Sequence, residues 1–149
     1  MRGALIAALF SLATATAEAS DVILHWPLEC TLGEDCHIQH YVDRTPGPEA
    51  QDYRCNSLTY DTHQGTDITL PSLQAMHEGV NVLAAAPGVV RAIRDSMSDG
   101  YASSKTEESL RGLDCGNGVV VRHSNGWDTQ YCHMKRGSIA VKPGQRVKV

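Results

Sequence analysis

The sequence predicts a mainly β fold, a compact antiparallel β-sheet domain with long loops, and three observations carry that expectation. Asn125 and Gly126 stand between two β-rich runs, residues 119–122 and 128–133, which is the strongest short-range signal for a β-hairpin. Two further β-branched stretches, GVNVLAAAPGVVRAI at residues 79–93 and GSIAVKPGQRVKV at residues 137–149, are each broken by a Pro-Gly pair, the mark of strand, turn, strand. No segment beyond the first 20 residues combines an apolar stripe of helical period with a convincing cap.

The elements follow in chain order. A cationic start at Arg2, an apolar run over residues 3–17 and a small-x-small site at Ala17, Glu18 and Ala19 form the pattern of a cleavable secretory signal peptide over residues 1–19. A membrane-spanning helix needs roughly 20 apolar residues, and this run is shorter and rich in Ala and Thr, so no stable membrane insertion is expected after cleavage. Removing 19 residues from 149 leaves 130, the size of one ordinary domain. The expected location is the periplasm or the medium outside the cell. A formal charge of -4 and a pI near 5.9 provide no basic field for nucleic acid. Lys135, Arg136, Lys142, Arg146 and Lys148 crowd the C-terminal stretch and read as a solvated face with no binding role.

Residues 20–60 carry three cysteines and the loop TPGPEAQD without a sustained period, so they read as an irregular, disulfide-tied arm. In an exported chain, disulfides are the default chemistry of Cys30, Cys36, Cys55, Cys115 and Cys132, and one of the five is left over. Cys30 and Cys36 close a small ring, or either reaches Cys55; the sequence leaves this open. If Asn125 and Gly126 form a two-residue turn, Val119 faces Cys132 and Cys115 lies four residues further on. That offset is roughly 13 Å at strand rise, so a direct Cys115 to Cys132 bond requires a bulge or bend. Residues 95–114 are polar and Ser-rich and read as a long exposed loop of the kind that borders a binding groove.

Two histidine patterns offer chemistry. His63 and Asp67 are four residues apart at the start of an expected strand, where they share a face, and Gly65 between them lets the backbone bend. An imidazole nitrogen and a carboxylate oxygen are both good zinc ligands, although a surface hydrogen bond explains the spacing equally simply. His133, in YCHM, is expected on the strand face of Tyr131, turned away from Cys132; taken by itself it reads as a hydrogen-bonded core histidine.

Taken together, THQGTDI, NVLAAAPGVV, CGNGVVVRHSNGWDTQYCHM and GSIAVKPGQRVKV resemble, in order and spacing, the lysostaphin-type (LytM-type) zinc endopeptidases, over about residues 26–149. Those enzymes share a compact antiparallel β domain and cleave peptide cross-links in bacterial peptidoglycan. The resemblance implies Zn2+ as cofactor, His63 and Asp67 as metal ligands, His133 as a catalytic histidine and peptidoglycan peptides as partner. The implied mechanism has zinc polarising the scissile carbonyl and activating water, one histidine taking the proton and another stabilising the oxyanion. The family's Pro-His-x-His segment, source of its third ligand and a further catalytic histidine, does not occur before Val149. Residues 61–149 are therefore expected to form a LytM-type metallopeptidase domain, incomplete at its C-terminus, and the chain to be a fragment of a longer enzyme.

The remaining histidines fall outside the shared motif positions. His123 is expected to face solvent at the hairpin turn; His25, His37, His40 and His77 read as structural or exposed, with His37 and His40 an unrelated metal pair in the alternative. Asp61 either braces a ligand or serves a turn. Two competing functions remain: a noncatalytic LytM-like domain that binds the cell wall or activates a cell-wall amidase, and a carrier-like β domain of the biotinyl or lipoyl type. The second lacks the modifiable Lys that such a domain carries at a hairpin tip, because Asn125 and Gly126 occupy the one clear tip.

Overall fold

The computed structural model describes residues 21–100, 106–124 and 126–149. The expected signal peptide, part of the polar loop and Asn125 lie outside them. The fold is mainly β, as expected, with strands β1 (His37–His40), β2 (Asp67–Thr69), β3 (Gly88–Arg94), β4 (Asn117–Arg122), β5 (Asp128–Met134) and β6 (Arg146–Val147). Strands β1 and β2 form a two-stranded antiparallel sheet, and the others a four-stranded antiparallel sheet in the order β5-β4-β3-β6.

The core lies on one face of the larger sheet. Val90 on β3 pairs with Val121 on β4, and Val119 pairs with Tyr131 on β5. Val90, Val119 and Val121 are buried and packed on by Tyr131, Ile139, Val141 and Val147. β-Branched side chains suit such a pleated, one-sided surface. Ile139 and Val141 cover the core from an irregular stretch instead of the strand expected before the Pro-Gly turn. That turn does form: Gly144 has φ 84°, and Gln145 N–H donates to the Lys142 carbonyl at 3.0 Å. In residues 79–93 only the second expected strand forms. Residues 81–85 run beside the arm, with Leu28 bridged to Val82 and His25 N–H donating to the Ala85 carbonyl at 2.7 Å.

Two short capped helices, unforeseen in the sequence, sit on this framework: α1 (Leu73–Glu78), capped by Ser72 and ended by Gly79 at φ 87°, and α2 (Glu107–Leu110), capped by Thr106 within the expected loop. Each is too short to show an apolar stripe, which is why helical periodicity did not reveal them. Among the described residues no helix is long and apolar enough to cross a membrane.

The β4–β5 hairpin is present, but its register is one residue from expectation. Arg122 faces Asp128 and Val119 faces Tyr131, which requires a three-residue connection, with Gly126 at φ 87° and His123 N–H donating to the Trp127 carbonyl. Along β4 itself, the inward alternation of Val119 and Val121 carries on to His123 just past the strand's end. His123 is consequently 5% exposed rather than solvent-facing, with Nδ1 bonded to the Pro87 carbonyl at 2.8 Å and Nε2 to Thr129 Oγ1 at 3.0 Å.

A bulge further along changes the cysteine chemistry. Asn117 pairs with Met134 and Val119 with Tyr131, so Cys132 and His133 together oppose Gly118. His133 takes φ 59°, and its N–H donates to the Cys115 carbonyl at 2.9 Å. This is the irregularity that a direct bond required: Cys115 and Cys132 form a disulfide with Cα atoms 4.7 Å apart. A Cβ on Gly118 would meet Cys115 Sγ at 2.8 Å and crowd the Tyr131 carbonyl oxygen, so only glycine leaves room beneath the bridge. The second disulfide joins Cys30 to Cys36, and Cys55 is free and exposed.

Candidate metal centre

His63 and Asp67 converge, but not as strand neighbours. His63 lies in the irregular connection that follows the turn at residues 61–62, and Asp67 opens β2; the chain bends between them at Gly65, where a Cβ would stand 3.9 Å from His63 Nε2. Nε2 of His63 is 3.3 Å from Oδ1 of Asp67. His63 is 8% exposed, and its ring stacks on Tyr60 at 4.4 Å and 26°.

The other imidazole nitrogen is fully committed. Nδ1 of His63 lies 2.7 Å from the Tyr41 carbonyl oxygen, which only accepts, so Nδ1 carries the hydrogen. In the neutral ring, Nε2 then presents a lone pair to a carboxylate oxygen, an arrangement that calls for a proton or a cation between them. A histidine oriented by a backbone carbonyl through its remote N–H is the usual support of a metal ligand. Distance agrees as well: two donors bound to tetrahedral zinc at about 2.0–2.1 Å stand about 3.3 Å apart. The pair fits a zinc ion as two of its ligands.

The backbone beneath His63 is held by Asp43 rather than by Asp61, which is exposed. Asp43 Oδ1 accepts from Thr45 N–H at 3.0 Å and Gln51 N–H at 3.1 Å, and Oδ2 from Thr62 N–H at 3.1 Å. The hydrogen bonds from Thr45 and Gln51 hold its carboxyl below the ordinary carboxylate range. Thr62 has φ 64°, a left-handed conformation costly for a β-branched residue, and the Asp43 bond helps to keep it there. Asp43 N–H in turn donates to the His63 carbonyl at 2.9 Å. An open groove of about 600 Å³ runs past these residues, between Val42, Pro46, Asp61 and Gln64, with His63 in its wall.

His40 joins the pair, although its sequence position suggested partnership with His37. Its Nδ1 is 3.3 Å from Oδ2 of Asp67, and its ring meets Tyr60 edge-on at 5.4 Å and His63 at 6.0 Å. His37 instead bonds the Cys36 carbonyl through Nδ1 at 2.7 Å. The pairing of β1 with β2 across 27 residues brings His40 here, and no local spacing signals it.

His133 does not follow the expected face. The half-buried alternation of Thr129 and Tyr131 resumes at Met134, and Cys132 and His133 are both exposed, because the bulge inserts a residue between them. The His133 ring makes no hydrogen bond among the described residues. Among the described residues, the one group of three metal-type donors within 4.8 Å is Cys30, Asp35 and Cys36, and its two sulfurs are consumed by the disulfide.

No curated protein and no solved structure matches the chain. Residues 61–149 match the family model of Peptidase family M23, whose members are typically metallopeptidases. The match spans His63, Asp67 and His133 and leaves the arm that carries His40 and Tyr41 outside it. With more than half of its length covered, the chain belongs to peptidase family M23, the lysostaphin-type peptidases.

Proposed function

We propose that the chain is an exported zinc metalloendopeptidase that cleaves peptide cross-links in bacterial peptidoglycan, working in the periplasm or outside the cell. The single observation that carries the reading is the His63 ring, locked by the Tyr41 carbonyl so that Nε2 faces Asp67 Oδ1 at 3.3 Å. His63 and Asp67 hold the ion. Zinc bound there supplies Lewis acidity toward a peptide carbonyl and toward water. Tyr60 covers one face of the His63 ring and limits water there, and the groove beside it offers a peptide an open approach. His133, with a ring free of hydrogen bonds among the described residues, is suited to exchange a proton with substrate.

A second reading, a noncatalytic LytM-like domain that binds the wall or activates an amidase, is favoured by one observation. Among the described residues, no group of three donors includes His63 and Asp67, whereas catalytic zinc has three protein ligands. The test combines zinc stoichiometry and release of new amino groups from purified peptidoglycan, for the chain from Ser20 and for His63→Ala and Asp67→Ala. About one zinc per chain and amine release, both lost in the variants, support the peptidase. Zinc without amine release supports the binding domain, and no zinc at all overturns the metal site.

A further inference from the structure

We propose that His40 is a positioning residue for Asp67: its Nδ1–H holds Oδ2 of the carboxylate so that Oδ1 alone is presented to the metal. The inference rests on the zinc reading above and adds to it a residue from outside the segment that matches the family.

Three features point to this role. The two oxygens of Asp67 are divided, Oδ1 at 3.3 Å from His63 Nε2 and Oδ2 at 3.3 Å from His40 Nδ1. An ionised carboxylate only accepts, so His40 serves it as a donor through Nδ1. A bulge in β1 brings the residue there: Ile38 pairs with Ile68, but His40, not Gln39, pairs with Asp67. Bulges beside functional sites commonly re-aim a side chain in this way. Tyr60 then touches both imidazoles, stacked on His63 and edge-on to His40, and so links their orientations.

His40 acts through Asp67 and not on the ion itself. Its nitrogens do not lie within 4.8 Å of both the His63 and Asp67 donor atoms, since no such trio is present among the described residues. A ligating carboxylate is ordinarily held by a hydrogen bond of this kind, and loss of such a partner costs about 10- to 100-fold in metal affinity. Without His40, Asp67 is free to rotate away from His63 or to offer both oxygens.

The test is zinc affinity, measured by competition with a chromophoric chelator, for the whole secreted chain and for His40→Ala, His40→Asn and His63→Ala. The Asn side chain is chosen because its amide nitrogen lies near the position of Nδ1 and keeps an N–H donor. Expected are an affinity about 10- to 100-fold weaker in His40→Ala and a return to within about threefold of wild type in His40→Asn, with unchanged urea midpoints. Unchanged affinity in His40→Ala overturns the proposal. Equal losses in both His40 variants also overturn it, in favour of direct ligation when stability is intact and of a structural role when stability falls with affinity. Zinc binding that His63→Ala abolishes while His40→Ala leaves it intact removes this inference alone; absence of zinc from the wild type removes the metal reading with it.

Discussion

Replacing Cys115 and Cys132 together by serine removes the cross-link between β5 and the segment before β4, which spans a sequence separation of 17. The chain-entropy relation, with a loop term of 1.5R ln n, assigns this closure about 3.1 kcal/mol at 25 °C. The Cys30–Cys36 bridge, with a separation of 6, comes to about 2.2 kcal/mol by the same relation. Urea unfolding of the two double-serine variants, each in a Cys55→Ser background to prevent thiol exchange, measures both. With a slope of about 2 kcal/mol/M, the midpoint falls by about 1.5 M for the Cys115 and Cys132 pair and by about 1 M for the other. Because the His133 N–H donates to the Cys115 carbonyl, its amide hydrogen exchange also accelerates in the first variant. A larger loss from the Cys30 and Cys36 pair, or an unprotected His133 amide in the wild type, refutes the reasoning.

Three further outcomes follow from the same geometry. Gly118→Ala forces a methyl group against Cys115 Sγ and the Tyr131 carbonyl and is expected to lower stability by about 2 kcal/mol or more, read as a fall in urea midpoint. His123→Ala leaves the Pro87 carbonyl and Thr129 hydroxyl without their buried partner and costs about 1–3 kcal/mol in the same assay. Asp128, hydrogen-bonded by Arg122 and by Arg91, has its carboxyl lowered to about 2. A depressed acid stabilises above its ordinary value and loses that contribution as pH falls through the folded one, so the wild type's advantage over Asp128→Asn is present at pH 5, falls as pH drops below about 4 and is gone by about pH 1.

How much of the site was legible depends on sequence distance. His63 and Asp67 were visible because a bend across four residues is a local event that glycine signals. His40 was visible only as a histidine: its contact with Asp67 depends on which strand β1 pairs with and on one bulge, and neither leaves a local pattern. The support of His63 by the Tyr41 carbonyl is less legible still, since every residue carries a carbonyl. The hairpin at residues 119–133 was evident from its turn residues, yet His123 was read as part of the turn when it continues the inward alternation of β4, and one bulge turned His133 from its expected face and supplied the irregularity that the Cys115–Cys132 bond, left open by the sequence, required. With a side-chain period of 2, a single-residue shift exchanges inside for outside.

The sequence by itself determined the β class, the position of the hairpin, the family and the convergence of His63 with Asp67, because each follows from local backbone preference or from ordered motifs. Only the tertiary structure decided the disulfide pairing, the burial of His123, the aim of His133 and the approach of His40 to Asp67. Those depend on how distant parts of the chain pair and pack against one another, and not on any one segment.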